Sequence, residues 1–272
     1  MILNNVAPII RNNKAFKRVL ANKDETNRAW LKRIIIENKF DGSGLLLLGG
    51  TSVADFHIRV AQSSLRHDLT PSYWSMVGVL TSADSFYSVP LQWKGELSEM
   101  PHSNGIQICK LADYDDPSKF PNIAFIQFTS DMTRILEYAE KLKWQRSVID
   151  LPELVIRWLE FVWAVGQNGN PLANAKGLPS AVFAETIFGI GGIELTPGLA
   201  TASSCPEAIW QSAKWWSAYY EETEKITVTS QSRSMVPAGC FVMRQPSAAV
   251  FAEAFVPKER SKTSVRKAKP IK

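Results

Sequence analysis

Cys205 is the residue whose neighbours equip it best for chemistry. It lies in "ASSCPEAIWQSAKWWSAYYEE", where Pro206 suits a first helical position and Glu207 puts negative charge into the first turn. A thiol at or beside such an N-cap faces backbone N–H groups that favour its thiolate, the form in which cysteine attacks carbon. The other reading is a small apolar filler, since free cysteine is among the most buried residue types. A nucleophilic cysteine also needs a base, and three histidines are available. His57 lies in "ADFHIRV", where a strand would turn it to the same face as Asp55 and Arg59 and make it a satisfied structural histidine. His67 sits beside Asp68 in the polar stretch "SSLRHDLTPSYW", nine residues before Met76, and is the better placed of the two to reach a cleft. His102 in "EMPHSNG" reads as an exposed turn residue.

Metal and cofactor chemistry has no pattern to rest on. Cys109, Cys205 and Cys240 make no C-x-x-C pair, and no two histidines stand four apart on one helix, so no metal is expected. "DYDDPSKF" lacks the spacing of a calcium loop, and "LLLLGG" with "GIGG" lacks the Lys-Ser/Thr of a phosphate cradle; no cofactor is expected.

The elements that must position these groups change character midway. Residues 9–39 have helical apolar spacing interrupted near "ANKDET", and read as a basic helical arm. "LLLLGGTSVADFHIRVA" reads as a short buried strand, a glycine turn and a second extended or helical piece; "PSYWSMVGVLTS", "GIQICKLADY" and "NIAFIQFTS" are further strands. From Asp131 the period becomes helical in "DMTRILEYAEKLKWQ" and "DLPELVIRWLEFVWAVG", with a shorter helix at "SAVFAETIFG" and the cysteine helix over 206–221. "KITVTS" and "GCFVMRQ" are late β-like segments. Strands and helices in separate blocks predict an α+β domain with a central antiparallel sheet packed on helices.

In order and spacing, "LLLLGGTSVADFHIRVAQSS", "YWSMVGVLTS", "LSEMPHSNGIQICKLADYDD" and "SSCPEAIWQSAKWW" resemble the circularly permuted papain-like hydrolases related to the NlpC-type peptidases and amidases, over roughly residues 44–221. The resemblance implies Cys205 as nucleophile, Glu99 as polar partner and the position of Met76 as that of the catalytic histidine, with the residue-76 side chain directed at the start of the cysteine helix. A thioether cannot accept a proton at neutral pH, so Met76 cannot act as the base. Two functions are therefore weighed. The first is a catalytically degenerate papain-like fold that serves as a binding or structural part of a larger protein assembly, with a thiol at Cys205 that still alkylates. The alternative is an active cysteine hydrolase on amide, peptide or acyl bonds, with His67 or His57 recruited as base.

Charge assigns the partners. The formal charge of +5 is concentrated at the ends: residues 1–40 carry nine Lys/Arg against three acids, and residues 258–272 carry seven against one. The layout is a basic arm (1–40), a papain-like domain (41–257) and a flexible basic tail (258–272). Protein partners are expected at the arm, the tail and the aromatic helix 206–221, where Trp210, Trp215, Trp216, Tyr219 and Tyr220 occupy more than one face. Contact of the tail with nucleic acid or an anionic surface is the less favoured reading, because the basic residues are not interleaved with the folded core. No run is long and apolar enough to span a membrane or act as a secretory signal, so the expectation is a cytoplasmic protein or one delivered by a non-classical route.

Overall fold

The computed structural model describes residues 16–91, 105–144, 151–163, 169–223 and 237–243. Its centre is β2 (Gly44–Gly49), whose six residues are all buried. The run Leu45–Leu48 has no polar alternation because both faces of this strand are covered, so each pleat points into a core. β2 pairs antiparallel with β3 (Met76–Ser82) on one side and with β6 (Asn122–Phe128) on the other. β4 (Ser85–Ser88) and β5 (Gln107–Lys110) extend the sheet beyond β3. β7 (Pro237–Val242) and the two-residue β1 (Lys17–Arg18) extend it beyond β6, giving the order β1-β7-β6-β2-β3-β4-β5. Every pairing is antiparallel except that of β1 with β7.

Strand alternation sorts the core into two layers. Leu45, Leu47, Val77, Val79, Ala124 and Ile126 face the layer built on α2 (Val53–Ala61), α3 (Thr133–Trp144), α4 (Leu151–Val162), α5 (Pro179–Ile190) and α6 (Pro206–Thr223). Leu46, Leu48, Leu80, Ile123, Phe125 and Phe241 face the other layer, built on α1 (Asn27–Glu37) and the segment 111–120. The expected central, mostly antiparallel sheet packed by helices is present.

Residues 16–40 are not a separate arm. Thr26 caps α1 by accepting the Ala29 N–H, and the i, i+3, i+4 spacing of Trp30, Leu31 and Ile34 puts all three in the core with no exposure. The Trp30 indole N–H donates to the Val19 carbonyl at 2.9 Å, and the Val19 N–H donates to the Val242 carbonyl at 2.9 Å, which ties the entry segment to the sheet edge. The basic residues of this stretch lie on the outer side of a packed helix, where Arg28 and Lys32 meet Asp84 and Arg33 meets Glu25. Residues 1–15, "KITVTS" and the tail 258–272 lie outside the described residues.

If α1 is part of the core, Trp30→Ala should cost about 3–5 kcal/mol in a denaturant unfolding experiment. A peripheral arm would change the midpoint by no more than a surface substitution does, about 0.5 kcal/mol.

Candidate functional site

Cys205 is where the sequence places it, immediately before α6, beside the first-turn backbone N–H groups of Glu207 and Ala208, which favour its thiolate. Its surroundings are nevertheless those of a core residue. The side chain has no exposure and belongs to the apolar core on the side of the sheet that carries α2 to α6. Burial is the largest influence on the thiol and pushes it up to about 12, outweighing the two helix donors that favour the thiolate. The preceding residue locks the position: the Ser204 carbonyl accepts the Leu178 N–H at 2.8 Å, and the Ser204 hydroxyl donates to Glu185 Oε1 at 3.1 Å. A side chain on Gly177 would sit 2.4 Å from the Ser204 carbonyl oxygen, so only glycine allows this approach.

Glu207 does more than complement a helix dipole. Its carboxylate is fully buried, accepts the Ser72 hydroxyl at 2.7 Å and the Gln211 amide, and lies 3.5 Å from an Arg66 guanidinium nitrogen. Its backbone N–H donates to Gln62 Oε1 at 2.9 Å. The start of α6 is filled by this network, and nothing in the spacing of the sequence marked Arg66, Ser72 and Gln62 as its members.

Two of the three histidines, His57 and His67, are among the described residues. His57 lies on a helix rather than a strand, so Asp55 and Arg59 share a face at i, i+4 while His57 points elsewhere. Its Nδ1 is 2.8 Å from the Val162 carbonyl and its ring packs beside Phe161, which ties α2 to α4. His67 is exposed in a turn; its neighbours Arg66 and Asp68 form the ion pair, at 2.7 Å, and Arg66 also covers the Tyr73 ring at 4.1 Å. Neither imidazole is hydrogen-bonded to Cys205. Glu99 and His102 lie outside the described residues.

Met76 opens β3 opposite Leu48, and its half-buried side chain packs against the α1 layer. The expectation that it is directed at the start of α6 is therefore corrected: Val77 and Val79 face the Cys205 layer, and period-two alternation sends residue 76 to the other side. Because Met76 sits in the last β2–β3 pair, it also borders a small cavity beyond the end of the sheet. This cavity, of about 20 Å³, is lined by Asp55, Ser75, Met76 and Ser180, with Tyr114 and Phe120 from the other layer. It has room for a single water. Asp55 accepts the Ser75 hydroxyl on Oδ1 and the Ser52 hydroxyl on Oδ2, each at 2.6 Å. Ser180, the second residue of α5, accepts the Val77 N–H at 3.3 Å. Arg59 lies behind Asp55 with no exposure, donating to the Ser72 and Gly50 carbonyls; burial pulls its guanidinium down to about 10, against the pull of Asp55. Among the described residues no group of three His, Cys, Asp or Glu side chains is arranged to hold a metal ion.

The thiol has a measurable signature. Below its usual value of 9.0 it is neutral in both folded and unfolded chains, and its contribution is fully present; above that the unfolded chain ionises while the folded chain does not until about 12. Stability should therefore fall with rising pH across this window by about 1.4 kcal/mol per unit, an increment absent from Cys205→Ala. Identical pH slopes in the two proteins would show that Cys205 is accessible. Compared with protein-family models, curated proteins and solved structures, the chain matches none.

Proposed function

We propose that this chain is a non-catalytic module, a hydrolase-type architecture resembling the permuted papain-like fold that serves as a binding or structural component of a protein assembly. One observation carries the reading: the candidate nucleophile is a wholly buried thiol that burial keeps neutral, and neither of the described histidines is hydrogen-bonded to it. Met76 reinforces it, since a thioether at the position of the base supplies neither a proton acceptor nor a counter-charge. The active-hydrolase alternative requires His57 or His67 to reach Cys205, which is buried without exposure, whereas His57 is bonded to the Val162 carbonyl and His67 is exposed in a turn.

The native chain should show no turnover of peptide, amide or ester substrates. Cys205 should resist a small alkylating reagent until the protein is unfolded, a reversal of the open-cleft reactivity expected from the sequence. Turnover that is lost in Cys205→Ala and in His67→Ala would establish the hydrolase.

The surfaces proposed for partners are the basic tail and the second half of α6. There Trp215 stacks on Tyr219 with ring centroids 5.3 Å apart and planes at 11°, Trp216 meets both edge-on, and Tyr219 is exposed. With residues 16–40 packed on the sheet, the tail is the proposed electrostatic element. Deleting residues 258–272 should weaken assembly with native protein partners, and more so at low salt. Assembly unchanged at both low and high salt returns the tail to solvent, whereas salt-dependent capture of nucleic acid by the same lysines and arginines makes nucleic acid the partner.

A further inference from the structure

We infer that the outer edge of β5, together with the end of α3 beside it, is a docking site for an extended acidic peptide that joins the sheet as a further strand. β5 closes the strand order on one side, and no described strand pairs with it beyond β4. The parity of its ladder fixes which backbone groups face outward. The Leu111 N–H donates to the Asp84 carbonyl at 2.9 Å, so residues 84 and 111 are a hydrogen-bonded pair, and alternation makes Phe86 with Cys109 and Ser88 with Gln107 the next two. The N–H and C=O groups of Ile108 and Lys110 therefore point away from β4, which is the pattern that a further strand pairs with.

Side chains beside this edge set the chemistry of what can lie on it. Ile106 is buried in the layer of α2 to α6 and Cys109 in the layer of α1, so period-two alternation places the Ile108 and Lys110 side chains on the α2-to-α6 side. Ile108 stands opposite Tyr87, whose hydroxyl donates to Glu140 of α3, and Glu140 accepts the Trp144 indole N–H at 2.8 Å. This chain of contacts brings the end of α3 toward the edge, where Ile108 is 49% and Trp144 74% exposed. A strand added here would lay an apolar side chain directly opposite Ile108. Charge selects the occupant. Lys110 and Lys141 are exposed and form no ion pair among the described residues, and Lys143 lies over the Trp144 ring. The Glu140 carboxylate is taken by Tyr87 and Trp144, which leaves Glu137, one turn earlier on α3, as the other acid. Two β5 edges paired with each other would bring the lysines of both copies together, and the chain's own tail, with seven Lys/Arg against one acid, carries the wrong sign. A strand with a carboxylate opposite Lys110 has the right one. Nothing in the site depends on Cys205 or on the non-catalytic reading.

The test follows the amide and indole N–H signals of the native chain by NMR during titration with two capped peptides, Thr-Glu-Thr-Val-Thr and Thr-Lys-Thr-Val-Thr. In antiparallel addition the glutamate of the first stands opposite Lys110 and its valine opposite Ile108. The acidic peptide should give saturable shifts at Ile108, Lys110 and the Trp144 indole, and the lysine peptide none. Ile108→Pro removes an outward N–H while leaving the ladder to β4 intact, so it should abolish the shift at Lys110 with circular dichroism unchanged. Lys110→Glu turns attraction into repulsion and should weaken binding by about tenfold. The site is overturned if neither Ile108 nor Lys110 shifts on titration, or if Ile108→Pro, natively folded, binds as the native chain does. Equal affinity for the two peptides, or for the native chain and Lys110→Glu, removes the acidic occupant. Should the same signals move with protein concentration alone, and sedimentation show a dimer that Ile108→Pro dissolves, the occupant is a second copy and the inference is wrong. Should Ile108→Pro fail to fold, the native shift map and Lys110→Glu decide between these outcomes.

Discussion

The carboxylate of Glu207 holds together parts of the chain that share no strand pairing. It is buried without exposure at the start of α6, where the helix's own N–H groups and a guanidinium from Arg66 offset its charge. Ser72 reaches it from the segment before β3, and Gln62, at the end of α2, accepts its backbone N–H while donating to the Ile58 and Trp74 carbonyls. Removing one member of such a buried pair leaves an uncompensated charge, typically a loss of about 3–5 kcal/mol. α2, the 66–74 segment and α6 are thereby fixed to one another through polar groups, while the apolar layer beneath them fills the space they enclose.

That anchoring decides the fate of Cys205. With Glu207 drawn inward on one side and Ser204 bonded to Leu178 and Glu185 on the other, Cys205 and Pro206 between them are carried into the core. The competition at the sulfur has a clear winner. Two backbone donors favour a thiolate, desolvation disfavours it, and desolvation is the larger influence. A helix start activates a thiol only where the thiol stays partly in contact with water or with a cation, and Cys205 has neither.

The two helix starts, of α5 and α6, lie side by side, joined by the Leu178–Ser204 hydrogen bond and the close approach of Gly177. In sequence they look unequal: "SSCPEA" carries a conspicuous residue and "GLPSAV" does not. In space the inconspicuous one meets β3 and shares a cavity with Met76, Asp55 and Ser75. Residue type alone directed attention to the helix that opens with a thiol, whereas adjacency to the strand is a property of the packed sheet.

Much of the architecture was legible because it depends on local chemistry. Apolar runs bounded by turn residues marked β2, β3, β6 and β7, and 3.6-residue spacing after capping or proline signals marked α3 to α6, with Asp131 accepting the Thr133 N–H as a cap should. The short "ADFHIRVA" segment stayed ambiguous between strand and helix, since eight residues fit either period; only the cap by Ser52 and packing on α4 made it α2, and this turned His57 away from Asp55. The basic residues of 16–40 concealed an apolar stripe that needed the far face of the sheet to bury it. By itself the sequence determined most of the element types and the position of Cys205 before a helix. The tertiary structure alone decided which layer each strand residue entered, that Cys205 is dry, and which helix start faces β3, because burial and long-range adjacency depend on pairings between residues far apart in the chain.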